Sequence, residues 1–340
     1  MDSITRFPRR AASLLLALAV VSPLAAGACG GDDDTTSSGS GTPATGEAGG
    51  DAAAGGTVEI THRYGTTEVP VAPQRVVSLD TQWTDVLLAL DAPPVGYLLD
   101  PNVEGGSFPW RGDGLTDATG MSATDTLPYE QIAALRPDVI VVSYFVEDQE
   151  DYDRLAAIAP TVATLTDRQV DTWQDITAAA GTMLGAPEEA DALVAEVEQG
   201  VGDLADELPG LSGKSFVLAN FVAGDAFYLV SDPEDGANVV FDDLGMTLSP
   251  TVLEAGEGVA GRVELSLEQA SLLDADLLVL FTNGADPEEI VGYDDLPAVR
   301  SGAAAVLDYA TVSGLNTPSP LSLPYALDAI RPALDAAAEA

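Results

Sequence analysis

The sequence predicts an α/β protein of two Rossmann-like α/β lobes joined by one long rigid α-helix, and three observations carry that expectation. From Thr57 onward, short β-branched and apolar runs alternate with helical stretches, the pattern of buried parallel strands linked by crossover helices. A helix–strand unit recurs at an offset of 138 residues. Between its two copies lies Pro187–Leu208, an amphipathic run about 33 Å long if helical.

Residues 1–28 precede this fold and carry the marks of a secretory signal. Arg6, Arg9 and Arg10 form a charged start, and Ala11 to Ala26 is an apolar stretch of 16 residues, shorter than the roughly 18–20 that a membrane-spanning helix needs. The stretch ends in Ala26-Gly27-Ala28-Cys29, which looks like a bacterial lipobox, with Ala26 where a larger aliphatic residue is usual. Cys29, the single cysteine of the chain, is then the lipidated first mature residue; an ordinary signal-peptidase site is the alternative. Arg9-Arg10 leaves Sec and twin-arginine export both open. Residues 29–56 form a tether between membrane and fold, after Cys29 mostly Gly, Ser, Thr, Asp and Ala without periodicity.

The first lobe spans residues 57–186. Thr57–His62 and Thr66–Val71 read as a hairpin about Tyr64-Gly65, and Arg75–Leu79 as an apolar strand. Asp80 or Thr81 caps a helix over Gln82–Leu90, and further strands fall at Pro94–Leu98 and Pro137–Tyr144. The repeat pairs Leu127–Val142 with Leu265–Leu280: six of sixteen positions are identical, including Glu130/Glu268, Gln131/Gln269 and Asp138/Asp276. Ser266 and Gln269 stand at capping-box spacing, and Pro128 suits a first helical turn. Residues 187–208 form the interlobe helix, with Pro187, Glu188 and Glu189 at its start and Pro209-Gly210 as its stop. Residues 209–340 form the second lobe.

Composition narrows function. The chain has 340 residues, 55 acidic against 13 basic side chains and a formal charge of −42, so it lacks the basic footprint of a nucleic-acid binder. One Cys and one His exclude a disulfide framework and a Cys/His zinc site. No metal or other cofactor is expected. His62 is the only imidazole for a hydrolytic triad, and its place in the hairpin marks it as a packing or surface residue.

Glu68–Asp80 with Thr84–Leu90 and Pro94-Val-Gly96, Tyr129–Ile140, and Leu155–Val162 together resemble the iron-siderophore and vitamin B12 substrate-binding proteins of ABC importers, the class III solute-binding proteins. The resemblance runs from about residue 57 to the C-terminus. It implies a lipid-anchored, extracytoplasmic, monomeric and non-enzymatic protein that captures a ferric siderophore and delivers it to a permease. Cobalamin and haem remain rival ligands, and an enzyme or a surface sensor on the same scaffold a more distant alternative. Iron would arrive already chelated. The resemblance also implies that Glu130 and Glu268 dock the two lobes to permease arginines; a helix-dipole role for both is the bland alternative. Where the family has Gly after the first helix this chain has Asp91, a residue that tolerates a left-handed cap.

Ligands in open parallel sheets lie beyond the carboxyl ends of the strands. The loops expected there carry Asp80–Trp83, Tyr97–Arg111, Ser143–Phe145, Asn220–Tyr228, Thr282–Gly284 and Ser313–Asn316. The candidate ligand-binding residues are Trp83, Trp110, Arg111, Tyr144, Phe145, Asn220, Tyr228, Arg262 and Asn283: aromatic faces, amides, and arginines for an anionic chelate. Core packing is the competing reading for each aromatic residue.

Overall fold

The computed structural model describes residues 56–340 except 124, 125, 147, 169, 258 and 260. The signal segment, Cys29 and nearly all of the tether lie outside the described residues.

Two strands open the fold, β1 (Thr57–His62) and β2 (Gly65–Pro70), paired antiparallel with His62 opposite Gly65. The turn is therefore Arg63–Tyr64, one residue earlier than the sequence suggests, because Gly65 takes its φ of 127° inside the ladder. The first sheet follows with β3 (Val76–Ser78), β4 (Gly96–Leu98), β5 (Thr119–Met121), β6 (Val139–Val141) and β7 (Thr161–Val162). Its order is β5-β4-β3-β6-β7, with every pairing parallel. Alternate side chains leave opposite faces of a strand, and both faces are buried here. Val76, Val139 and Val141 pack beneath α1 (Thr81–Ala89) and α4 (Trp173–Leu184). Val77, Leu79, Ile140 and Val142 pack with Ile132 of α2 (Tyr129–Ala134) and Leu155 of α3 (Gln149–Ala156). Asp80 is the N-cap of α1, accepting from the Trp83 amide at 2.9 Å, and Asp91 takes the left-handed conformation after it at φ 54°.

Helix α5 (Pro187–Glu207) is the expected connector. It leaves α4 through Gly185 at φ 70°, and the two helices cross so closely at Gly181 that a Cβ there would stand 2.4 Å from the Ala190 methyl. Val201 of α5 enters the second lobe's core, with Val194, Val197 and Leu204 packed against it. Trp173, the first residue of α4, also sits in that second core, while Ile176, Ala180 and Met183 of the same helix pack in the first. Two consecutive helices thus tie the lobes together.

The second lobe contains β8 (Ser215–Val222), β9 (Ala226–Val230), α6 (Val239–Asp243), β10 (Thr247–Leu248), α7 (Pro250–Ala255), β11 (Arg262–Ser266), β12 (Leu277–Phe281), α8 (Pro297–Ser301), β13 (Ala304–Leu307), α9 (Tyr309–Asn316) and α10 (Ser322–Glu339). Strands β10, β8, β12 and β13 run parallel, as in the first lobe. β9 returns antiparallel against β8, and β11 against β9. The segment Asn220–Tyr228, expected as a cleft loop, is therefore a tight hairpin. Two β-favouring runs flank Ala223-Gly224-Asp225, and Gly224 supplies the positive φ of 75° that the turn requires.

The internal repeat has a structural explanation. Asp138 precedes β6 and accepts from the backbone amides of Gln74 and Arg75 at 2.9 and 3.0 Å, where the chain enters β3. Asp276 precedes β12 and accepts from the Ser215 amide and hydroxyl at 2.7 and 2.9 Å, where the chain enters β8. Each Asp pins the start of the neighbouring parallel strand. The Ser266/Gln269 capping box is formed, whereas Pro128 is the N-cap of α2 and not a first-turn residue.

His62 is buried against Tyr152, with ring centroids 5.2 Å apart. Thr67 Oγ1 donates to the Thr161 carbonyl at 2.9 Å, so it accepts from His62 Nε2–H at 2.8 Å; Nδ1, left without a proton, accepts from the Tyr64 amide at 3.3 Å. Burial holds the ring below its ordinary value of 6.5. The unfolded chain therefore takes up this proton first, and the stability associated with neutral His62 is complete above pH 6.5 and lost as pH falls through the folded-state value. The expected outcome in urea titrations is that the advantage of the wild type over His62→Gln narrows as pH falls below 6.5; a constant difference would contradict a neutral buried imidazole.

Candidate functional site

In an open α/β sheet the crevice forms where the strand order reverses. In the first lobe that point lies between β3 and β6, since β4 and β5 extend to one side and β7 to the other. The residues leaving those two strands are joined there: the Ser143 hydroxyl donates to the buried Asp80 carboxylate. Burial raises the Asp80 carboxyl above its usual range, against the bonds it accepts from Ser143 and the Trp83 amide. Tyr144 and Phe145 project next from the same loop, with ring centroids 5.1 Å apart and 45% and 40% of their surface exposed. Burial of its hydroxyl end, with the Asp80 carboxylate nearby, pushes the Tyr144 phenol upward.

In the second lobe the reversal lies between β8 and β12. Asn283, in the left-handed conformation just past β12, donates to Asn220 Oδ1 at 2.6 Å and to the Phe221 carbonyl at 2.9 Å. Each lobe thus closes its switch point with one polar bridge. Two exposed aromatic residues stand at the first and an amide pair at the second. Tyr228 faces Asn220 across the β8–β9 ladder and donates to Asp225 at 2.9 Å.

The strand ends of the two lobes meet through a polar and aromatic seam. The Asp85 carboxylate, fully buried on α1, accepts from Trp110 Nε1 at 2.8 Å, Arg111 Nε at 2.5 Å and, from the second lobe, the Ser319 hydroxyl at 2.7 Å. Arg111 Nη2 donates to the Thr81 carbonyl at 3.2 Å, and the guanidinium lies 5.1 Å from the Phe108 ring centroid. Gln82 Nε2 reaches the Pro318 carbonyl at 2.8 Å. The Tyr309 hydroxyl donates to Asp100 at 2.9 Å, and its ring stacks toward Phe108. Phe108 in turn stacks on Trp110 at 4.5 Å.

Two predicted site residues are corrected by this geometry. Trp83 is wholly buried among Val76, Val86 and Val139, because a first-turn position of α1 turns toward the sheet. Arg111 is committed to Asp85 with its guanidinium withdrawn from solvent, a clamp at the lobe seam instead of an anion receptor. Trp110, half-buried, shares that seam. Arg262 opens β11 apart from the Asn pair. It is half-buried, its Nε lacks a partner, and burial lowers its guanidinium against the opposing Asp235 carboxylate. Asp235 Oδ2 and Asn238 Oδ1 are also buried and unpartnered. Glu130 and Glu268 are both exposed, in the first turns of α2 and of the 3-10 turn after β11. Sequence reasoning missed Asp85, Gln82, Asp100, Tyr309 and Ser319. A buried acid within the apolar α1 run was the one available signal, since a carboxylate on a core-facing helix demands donors.

A family description, "Periplasmic binding protein", matches residues 76–308. The probable siderophore-binding lipoprotein YfiY of Bacillus subtilis is 26% identical over 286 residues, covering 76% of this chain and 84% of its own. The Fe(3+)-citrate-binding protein YfmC of the same organism is 29% identical over 225 residues, covering 64% and 66%. Among solved structures, Streptococcus pneumoniae PiaA in complex with ferrichrome superposes with a TM-score of 0.70 at 25% identity, covering 82% of this chain and 98% of that one. Staphylococcus aureus SirA complexed with staphyloferrin B gives 0.66 at 26% identity, covering 80% and 97%.

Replacing Arg111 by Ala leaves a buried carboxylate without its cation, a change that costs about 3–5 kcal/mol in such pairs. The expected result is a large drop in the calorimetric melting temperature. A variant melting like the wild type would show that Asp85 does not need the pair.

Proposed function

The chain belongs to the periplasmic binding protein family, and from that premise we propose that it captures a ferric siderophore outside the cytoplasm and hands it to an ABC-transporter permease. The carrying observation is its similarity, over most of its length, to proteins named for siderophore and ferric citrate binding, with a solved ferrichrome complex among its structural relatives. The ligand would lie between the two switch points, against Tyr144 and Phe145 on one side and Asn220 and Asn283 on the other. Trp110, Tyr228 and Arg262 are secondary candidates. With Arg111 committed to Asp85, Arg262 is the remaining cation of the predicted set. That balance favours a chelate of low net charge, held by aromatic faces and amide hydrogen bonds, over a polyanion that needs an arginine cluster. Iron enters as cargo already wrapped by its chelator; a chain with one His and one Cys offers few soft or imidazole donors of its own. Anchoring through a lipid on Cys29, release of residues 1–28 and a monomeric state complete the reading.

Titration of the emission of Trp83, Trp110 and Trp173 with a neutral ferric trihydroxamate, a ferric tricatecholate, ferric dicitrate, cobalamin and haem tests it. The trihydroxamate is expected to bind at micromolar concentration or tighter, and the Tyr144→Ala/Phe145→Ala variant to lose about 1–3 kcal/mol, the worth of two aromatic contacts. If no ferric chelate binds at micromolar concentration, the reading fails.

Docking is tested separately. Glu130→Lys/Glu268→Lys should bind the chelate as tightly as the wild type, yet uptake by cells carrying the importer should fall at least tenfold. Uptake at the wild-type rate would remove these two residues from the interface.

A further inference from the structure

A cavity of about 540 Å³ opens between α5 and the start of α10, with Ala89 of α1 also lining it. It shares no residue with the switch points or with the Asp85 seam, and its size lies in the ordinary range for small-molecule sites, roughly 300–1,000 Å³. Its floor is apolar: Leu193, Val197 and Leu204 of α5 face Leu321, Leu323 and Leu327. The α5 residues follow helical spacing, so they form one continuous stripe.

Two features distinguish this groove from an unfilled gap between helices. The first is Gly200, which lines it in mid-helix, where Gly costs about 1 kcal/mol relative to Ala. A Cβ built there meets nothing within 4 Å, so no close approach of backbone demands the glycine; its effect is to leave the centre of the groove open. The second is the rim. Glu207 is paired with Arg331 at 3.0 Å, and the same guanidinium holds Asp335 at 2.8 Å. Glu196, Asp203 and Asp328 line the groove exposed and carry no ion pair among the described residues. The one cation at the groove is thus already spent on two acids, and three carboxylates surround an apolar floor without compensation.

We propose that this groove is a second ligand site, for a small amphipathic organic cation: an alkyl or aromatic body carrying a single ammonium or amidinium group. The body removes apolar surface from water along the α5 stripe, and the charged end stays at the wet rim beside Glu196, Asp203 or Asp328, as amphipathic side chains hold their charged ends at an interface. An anion of the same shape meets repulsion from all three carboxylates.

Dansylcadaverine, an aromatic body with a primary ammonium, is the probe; a dansyl group on a carboxylate-ended chain of similar length is its control. Dansyl emission should rise saturably on titrating the cation with the purified protein, and the carboxylate probe should bind at least tenfold more weakly, about 1.4 kcal/mol. Gly200→Leu fills the floor while leaving every charge in place, and should abolish binding with a melting temperature equal to or above wild type. Glu196→Gln/Asp203→Asn should weaken the cation several-fold, and Tyr144→Ala/Phe145→Ala should leave it unchanged, which separates this site from the cleft. Equal binding of the two probes, or undiminished binding by a folded Gly200→Leu, overturns the proposal. So does sedimentation of the wild type as a dimer that Gly200→Leu splits, since the groove would then be an interface between copies of the chain.

Discussion

The setting of the two lobes depends on one buried carboxylate. Asp85 is enclosed on α1 and accepts three hydrogen bonds, from Trp110, Arg111 and Ser319. A carboxylate taken out of water is tolerated only when paired and hydrogen-bonded. Two of its donors come from the first lobe, so they persist whatever the second lobe does. The third comes from the segment between α9 and α10, and parting the lobes would strip it. Such a pair is weak grounds for claiming net stability, because apolar residues of equal volume can serve as well. What it provides is position, since all three donors are met in one relative placement of the lobes. Gln82 on Pro318 and Tyr309 on Asp100 lie along the same seam and favour the same placement.

Around that seam the lobes repeat one design. In each, the first strand of the parallel sheet is entered through amides held by an Asp from its parallel neighbour, Asp138 or Asp276, and each ends its switch point with a polar bridge. The difference lies in what extends past the bridge. The first lobe exposes Tyr144 and Phe145, while the second inserts the β8–β9 hairpin and adds β11 as an antiparallel edge. An apolar contact surface therefore comes mainly from one lobe and hydrogen-bonding amides from the other. This division suits a ligand with a hydrophobic perimeter and exposed carbonyl or hydroxyl oxygens.

Much of this architecture was legible in the chain because it is local. Pro187, the acids that follow it and Pro209-Gly210 bracket α5 to within one residue, and the Ser266/Gln269 box appears as spaced. Asp91 adopts the left-handed cap for which its side chain suits it. The site was less legible because its contacts are distant. Asp85 meets partners 25, 26 and 234 residues away, and nothing in spacing tells an arginine beside a tryptophan whether it will face a ligand or a buried acid. Trp83 illustrates the same limit. A helix's first-turn aromatic residue is read by the face it occupies, and that face depends on how α1 lies against the β3–β6 pair. Asn220–Tyr228 was mistaken for a loop because its turn is only three residues long and both flanks carry strand-forming residues that also suit a buried edge.

The charge of −42 acquires a different meaning once the arginines are placed. Arg75 caps carbonyls after α2, Arg111 closes Asp85, Arg154 and Arg331 each hold two acids, and Lys214 meets Asp276. With Arg63 on Asp167 and Arg168 on Asp175, most of the described cations are engaged by the protein's own groups, and the exterior field is that of unpaired carboxylates. A polyanionic ligand would meet that field once within about 8 Å, the screening length at physiological salt. There it would find few guanidinium groups to compensate. A neutral chelate would be indifferent to the field and, at the proposed site, would need only the aromatic and amide surfaces at the two switch points. The proposed docking would reverse the requirement: acids on both lobes would be an asset against a basic membrane partner, and Glu130 and Glu268 stand exposed on matching turns of the repeat. On that proposal one surface charge would serve both ends of the transfer, as long as the cargo itself carries little.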